Sequence, residues 1–369
     1  MGQVLWQLFI IVLGFGLSYW LFQDFPRLEA SDKKGVLPEL SVIIPVRNEE
    51  KNIARLLESL SRQTLRPGEI ICVDDASTDR TAEIIAAFPF VRYLKAEPKP
   101  PDYIGKSWAC LSGAKAASGE VFLFLDADVR LGKTAVAMLA ESYKAEDAVL
   151  SVQPYHIPEC FYEQFSFFFN LIQIAANGTT RPAAEAIGLH GPVILIDKAS
   201  YEAAGTHEAV KDSLIEDLAL GKRLREKEIP FKLFTADKSI SYRMYPQGFR
   251  ALCEGWIKNI ALGASETGPA AFAAIFFWLA SLSNVFTGLL SAALHAKPLP
   301  FLLYAVFYLL WLLRLSTPAG KCGQFKKTTI IFYPLFLAFS IVILLISAAK
   351  MIFAPSFRWK GRTVEGKKR

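Results

Sequence analysis

The chain has five cysteines, Cys72, Cys110, Cys160, Cys253 and Cys322, with no C-x-x-C and no other paired spacing. That excludes a disulfide framework and a thiolate zinc site, and it places the main domain in a reducing compartment. No G-x-G-x-x-G follows the first predicted strand, which weakens a dinucleotide-dehydrogenase reading. The P-loop pattern is also missing, which argues against ATP or GTP hydrolysis. Basic residues form no aromatic-interleaved stripe, so nucleic acid is not an expected partner. The apolar start lacks a basic n-region and an A-x-A-like site before Gln23-Asp24, the marks of a cleaved signal peptide. Internal repeats and low-complexity tracts are absent too.

What is present is apolar and unevenly spread. The 369 residues are 52% hydrophobic with a formal net charge of +6. The excess of apolar residues sits in the first two dozen positions and the last hundred, as in a membrane-anchored domain rather than a many-pass transporter. Residues 4–22 carry no charge over a run of about 19, long enough for a spanning helix, with Trp6, Tyr19 and Trp20 as interfacial anchors. The expected organisation is a transmembrane helix over 1–24, a linker over 25–38, a catalytic or binding domain over 39–262, a membrane region over 268–354 and a basic tail over 355–369. The membrane region has apolar segments at about 270–294, 299–313 and 329–353. The second is short for a span, and Pro334 interrupts the third, so two to three helices are expected.

The middle alternates strands with helices. Residues 40–45, 69–73, 91–94, 121–125, 148–153, 187–197 and 231–234 read as strands, and helical periods separate most of them. That rhythm predicts an α/β domain with a mainly parallel sheet and helices on both faces. Residues 161–176 place Phe161, Phe165, Phe168, Phe169, Ile172 and Ala176 at helical spacing, with Glu163, Gln164, Asn170 and Gln173 between them. They form either an amphipathic helix on the membrane surface or over an acceptor groove, or an ordinary core helix.

Acidic residues recur at strand ends: Glu49, Asp74-Asp75, and Asp126 with Asp128 after the buried strand VFLFL. In open α/β sheets that edge is where ligands bind. Hard carboxylate oxygens suit Mg2+ or Mn2+ shared with substrate phosphates. A single D-x-D also occurs by chance as a solvated loop. Asp75 and Asp79 have an ordinary use in turns and caps, and Glu216-Asp217 would also suit the start of a helix. His207 reads as a loop residue, while His190, just before Gly191-Pro192, stays open between a loop role and an acceptor contact.

Five motifs occur in order: SVIIPVRNEE (41–50), VDDASTD (73–79), GKSWA (105–109), LDAD (125–128) and IEDLALGKRL (215–224). In them the chain resembles the family-2 inverting glycosyltransferases, which have the GT-A nucleotide-sugar fold. The flanking helix and the Arg358-Trp359-Lys360-Gly361-Arg362 tail are similar to the membrane-bound branch that glycosylates carotenoid acids or hopanoid-type lipids. The resemblance implies that Pro45, Glu49, Asp75, Lys106 and Asp126 bind the donor nucleotide, a UDP-sugar, with Asp128 the ligand of Mg2+ or Mn2+. It implies Asp217 as the catalytic base, with Glu216, Gln247, Arg250, Trp256 and His190 toward the acceptor or diphosphate.

One departure bears on the product. Processive relatives carry Q-x-x-R-W, whereas Gln247-Gly248-Phe249-Arg250 is followed here by Ala251, and Trp256 comes five residues later. Transfer of one or a few sugars, with glucose the expected one, to an apolar lipid is therefore favoured over polymer synthesis. A carboxylic-acid acceptor would already be ionised at pH 7, leaving Asp217 to orient it. A scaffold that keeps the fold without catalysis is the alternative of another class, and the complete set of acids argues against it. A cytosolic donor puts the main domain on the cytoplasmic face of the cell membrane in a multi-pass chain. Three later spans would then export the basic tail against the positive-inside rule. One segment, 299–313 or the one broken by Pro334, is therefore expected to lie at the interface, with the tail in the cytoplasm.

Overall fold

Alternate residues of the central strands feed opposite cores, as a strand covered on both faces requires. Val42 and Ile44 enter one cluster with Leu123 and Leu125. Ile43 enters the other with Phe122, Phe124, Ile194 and Ile196. The computed structural model describes residues 2–182, 186–264, 266–353, 356–359 and 362–365.

In chain order the elements are α1 (Gly2–Leu21), β1 (Gly35–Val46), α2 (Ile53–Ser61), β2 (Leu65–Asp74), α3 (Thr81–Ala86), β3 (Arg92–Lys95) and α4 (Gly105–Ala116). There follow β4 (Val121–Leu125), β5 (Val129–Leu131), α5 (Ala135–Glu146), β6 (Val149–Gln153), β7 (Tyr155–His156), a 3-10 turn (Phe161–Ser166) and α6 (Phe167–Ala176). Next come β8 (Val193–Asp197), α7 (Lys198–Ala203), α8 (Glu216–Glu226), β9 (Phe231–Thr235), β10 (Ile240–Tyr242) and α9 (Phe249–Ala264). The chain closes with α10 (Pro269–Leu294), α11 (Pro298–Cys322), α12 (Lys327–Ile331), α13 (Tyr333–Phe353), β11 (Ser356–Trp359) and β12 (Arg362–Glu365).

These elements divide into two compact units. The α/β unit takes residues 26–157 and 186–246 together with the C-terminal strands. Its main sheet has the order β3-β2-β1-β4-β8-β6-β9. All neighbours run parallel except β8, which is antiparallel to both β4 and β6. A second, three-stranded sheet has the order β5-β10-β7. Each strand expected from the sequence is present, though the expected strand 187–197 is shortened to β8, Val193–Asp197. The short strands β5, β7 and β10 and the helices α5 and α7 carry too little periodicity to be anticipated.

The helical unit comprises residues 1–25, 158–185 and 247–355. The pattern of the sequence assigns 161–176, and the whole of 39–262, to the α/β domain; the fold corrects that boundary. The reason lies in the polar residues of 161–176, whose acceptor oxygens and the Asn170 amide find partners within the protein. Glu163 is fully buried and accepts from the Glu159 and Cys160 amides. Gln164 Oε1 accepts from the Lys326 amide at 3.0 Å and Thr329 Oγ1 at 2.7 Å, and Asn170 donates to Ser166 O at 2.8 Å. α6 buries Phe167, Phe168 and Phe169 together with Asn170, Leu171, Ile172, Ile174 and Ala175, the mark of a core helix.

Among the described residues three helices are long and apolar enough to cross a bilayer, α10, α11 and α13, which marks the chain as membrane-associated. At 25 residues α11 rises about 37 Å, more than the ~30 Å hydrocarbon core. The sequence makes this segment look short because Arg314 breaks its apolar run. Within the helical unit Arg314 is buried and donates to Ser18 Oγ (3.0 Å), Ser18 O (2.6 Å) and Phe22 O (3.4 Å). Its guanidinium also lies over Tyr19, 4.4 Å from the ring centroid. The end of α1 offers carbonyls and the negative end of a helix dipole, so the charge is compensated. Pro334 sits in the first turn of α13, where a missing N–H costs little, so the expected interruption is a start instead. Over its fully described stretch, Leu5–Leu21, α1 is a shorter apolar helix. Of the expected basic tail, 355–369, only the strands β11 and β12 are described, and residues 355, 360, 361 and 366–369 lie outside the described residues.

Arg314→Leu should remove the guanidinium donor from Ser18 Oγ and Phe22 O, while Ser18 O keeps the Phe22 amide, and cost about 1–3 kcal/mol. A lower unfolding temperature in detergent, with UDP binding unchanged, is the expected result. An unchanged temperature would show that the contact contributes nothing.

Candidate active site

The carboxyl ends of β1, β2 and β4 bring the strand-end acids to one edge of the main sheet. β1 and β2 are in register through Val46 and Asp74, and the Asp75 amide donates to Val46 O at 3.0 Å. Asn48 and Ala76 turn the two loops with φ of 52° and 53°. Arg47 clamps the pair by donating to Asp75 O (2.5 Å) and Ala76 O (3.0 Å). Glu49 is buried, and its Oε2 accepts from Asn52 Nδ2 at 2.9 Å. Asp79 is a cap: it accepts from the Thr81 amide and hydroxyl and from the Glu50 amide. Burial works against its charge, but those bonds hold its carboxyl below the usual range. Asp74 is tied to Tyr93 and the Ser77 amide, leaving Asp75 as the side chain of that pair toward the loop.

Beside this edge lies a cleft lined by Pro45, Lys106, Cys110, Phe124, Leu125, Asp126, Gly191, Ile194, His207, Glu216 and Asp217. Lys106 enters from the first turn of α4 and reaches two acids at once, Asp126 Oδ1 and Glu216 Oε1, each at 2.8 Å. Burial alone would lower its pKa, but Asp126, Glu216 and Asp217 raise it well above the ordinary lysine value. Asp217 opens α8 next to Glu216, with its Oδ1 accepting the Leu218 amide at 3.0 Å. Burial, then the charge of Glu216, pushes its carboxyl up to about 7 against the pull of Lys106. A carboxyl poised near neutrality beside a fixed ammonium is equipped to hold or release a proton at physiological pH.

The structure thus gathers Pro45, Lys106, Asp126, Glu216 and Asp217 around one cleft, with Glu49 and Asp75 on the adjoining loops. Asp128 follows at the start of β5, where its charge, after burial, raises the Tyr245 phenol. His190 is placed differently from an acceptor contact. It is 1% exposed, and burial lowers its imidazole to about 3, so the ring is neutral. Gln247, Arg250 and Trp256 belong to the helical unit. Arg250 pairs with Glu254 at 2.9 Å. Trp256 is a packing residue, 1% exposed, stacked on Phe169 and donating from Nε1 to Ser166 Oγ at 3.0 Å. Sequence reasoning misses Cys110, Phe124, Ile194, His207 and Gly191 as cleft residues. Cys110 has a usable signal, because it lies one turn from Lys106 on the same face of α4. The others come from long-range pairing and leave no local signal.

Among the described residues no group of three or more His, Cys, Asp and Glu side chains could hold a metal alone. The donor set at the end of β4 is two carboxylates. That chemistry fits a hard divalent cation which takes its remaining ligands from a diphosphate and water.

The mixed α/β sheet with its ligand edge is a GT-A-type fold. Residues 41–200 match the model of the glycosyl transferase family 2. The chain is 34% identical over 356 residues to the 4,4'-diaponeurosporenoate glycosyltransferase of Staphylococcus haemolyticus, covering 94% of each. It is 32% identical to the Staphylococcus aureus (strain USA300) protein of the same name, over 96% of this chain and 95% of that one. A mannosyltransferase from Pyrobaculum calidifontis, solved with GDP-Man and Mn2+, shares the fold at a TM-score of 0.50 and 16% identity, over 94% of this chain and 99% of that one. The chain belongs to glycosyltransferase family 2 and is a sugar-transferring enzyme. That sets aside the reading as a catalytically idle scaffold.

Proposed function

We propose that the enzyme transfers glucose from UDP-glucose, with inversion, to an apolar lipid acid of the carotenoid type, at the cytoplasmic face of the cell membrane. The observation that carries this reading is the Lys106 bridge between Asp126 and Glu216 beside Asp217, which joins the donor-side acid to the acceptor-side pair. The relatives named for 4,4'-diaponeurosporenoate support the acid acceptor, and the apolar helices support a lipid one. Glu49 and Asp75 hold the uridine by accepting its hydrogen bonds. Asp128, beside Asp126 at the diphosphate, would hold Mg2+ or Mn2+, which would supply charge neutralisation on the leaving diphosphate. Lys106 screens the same charge. Asp217 faces the acceptor: it takes the proton of a hydroxyl, or hydrogen-bonds to an acid that is already ionised. Ala251, in place of the tryptophan of processive relatives, fits a product of one or a few sugars.

The test uses the full chain in lipid nanodiscs with radiolabelled UDP-glucose, Mn2+ and 4,4'-diaponeurosporenoic acid. One labelled apolar ester is expected. Long polymer would favour the processive reading, and no labelled lipid would sink the acid acceptor.

The pH profile separates the two roles of Asp217. Below about pH 7 the carboxyl is largely protonated and can donate to an acceptor carboxylate. Above it, two anions share the cleft and repel each other. With the acid, saturated transfer should therefore fall as pH rises through about 7. With a long-chain alcohol the base must be ionised, so the rate should rise over the same interval. Flat profiles with both acceptors would remove Asp217 from the chemistry.

A further inference from the structure

The donor-side and acceptor-side acids come from distant parts of the sequence, yet both are registered against three consecutive residues. The Asp126 amide donates to Pro192 O at 3.0 Å. On the other side, Asp217 occupies the space a side chain at 191 would need. A Cβ built on Gly191 would lie 2.6 Å from Asp217 Oδ2, 3.1 Å from its Cγ and 3.3 Å from Lys106 Nζ. The turn itself is held from below. Ser151 on β6 is fully buried, its Oγ accepts from the His190 amide at 2.6 Å, and it donates back to His190 O at 3.0 Å. The helix that carries Asp217 is docked just as closely to the same segment. A Cβ at Gly188 would meet Leu218 Cα at 2.6 Å, and one at Gly221 would meet Gly188 Cα at 2.5 Å.

We propose that the His190-Gly191-Pro192 turn is a backbone gauge that sets the distance between Asp217 and Asp126, with Gly191 and Ser151 as its positioning residues. The proposal rests on Asp217 being the acceptor-side carboxylate. Gly191 contributes the absence of a side chain, which lets the carboxylate and the Lys106 ammonium close on the turn. Ser151 contributes the reciprocal pair of hydrogen bonds that keeps the turn from drifting. The imidazole of His190 is turned into the protein, so the backbone of this residue matters to the site and its ring does not. Inverting transfer needs the acceptor atom in line with the bond to the departing diphosphate, so an error of about 1 Å in the carboxylate costs on the order of 100-fold in rate.

The experiment compares Gly191→Ala, Ser151→Ala, Asp217→Ala and the double variants Gly191→Ala/Asp217→Ala and Ser151→Ala/Asp217→Ala as full chains in nanodiscs. Transfer from UDP-glucose to the acid acceptor is measured alongside UDP binding in Mn2+ by calorimetry. Gly191→Ala should lower kcat by about 100-fold while the KM for UDP-glucose and the Kd for UDP stay within about twofold. Ser151→Ala should lower kcat by about tenfold, with the same split, as expected for a smaller shift of the turn. Combined with Asp217→Ala, neither should cause further loss, because no carboxylate remains to be displaced. Additive losses in the double variants, or unchanged kcat in both single variants, would overturn the gauge. If Gly191→Ala fails to fold, the Ser151 pair decides alone. If Asp217→Ala by itself leaves transfer unchanged, the assigned role of Asp217 fails instead, which is a separate outcome.

Discussion

Asp217→Asn should reduce transfer to a hydroxyl acceptor by about 10²–10⁴-fold, the usual contribution of a positioned general base. UDP binding should stay within about twofold. The replacement is close to isosteric, so it preserves the fit against Gly191, and the amide oxygen can still accept the Leu218 N–H. What it removes is the ability to take a proton. With an acid acceptor the same variant should behave differently. The carboxamide would present an N–H where protonated Asp217 presents an O–H, so transfer should persist and lose its decline above about pH 7. Rates on both acceptors, from about pH 6 to 8, would check this. Full activity on the hydroxyl acceptor would remove Asp217 as the base.

Asp128→Ala should abolish the part of UDP affinity that depends on Mn2+ or Mg2+, with the fold retained. Only two carboxylates leave the end of β4, and Lys106 already engages Asp126 at 2.8 Å. A divalent ion sharing its shell with a diphosphate would take Asp128 as a protein ligand. The side chain is not part of either apolar core, so its loss should leave the sheet intact. Calorimetric titration of UDP with and without Mn2+ reads the difference, and circular dichroism reports the fold. Metal-dependent binding that survives the change would return the D-x-D to a solvated loop.

Much of this architecture is local in origin. A run such as VFLFL can only be covered on both faces, and acids placed just after such strands reach the ligand edge whatever else the chain does. That is why Glu49, Asp75, Asp126 and Asp128 stand out by strand position, and why every long strand is legible. Asp79 can be assigned to a cap on the same grounds. Residues 161–176 mark the limit of such reasoning. Period and composition leave a surface helix and a core helix equally open, and the choice falls to partners such as Lys326 and Thr329, more than 150 residues away, which donate to Gln164 Oε1. Arg314 is a similar case, because an apolar run broken by a charge looks too short to span until the end of α1 compensates it.

The Lys106–Asp126–Asp128 neighbourhood shows the division most clearly. Strand position marks Asp126 and Asp128 as ligand-edge acids from the chain alone, and the family resemblance implies the donor-side role of Lys106. The 2.8 Å bridge to Glu216, the rise of the Asp217 carboxyl toward neutrality and the space left by Gly191 depend on α8 and the turn before β8 converging on α4. Gly191 and Glu216 lie 85 and 110 residues from Lys106 in the chain, and electrostatics and steric exclusion act through space. Sequence patterns report periodicity and local turn chemistry, so they identify which groups carry charge. Only tertiary packing decides which charges face each other, how far each is desolvated and where a missing methyl group makes room.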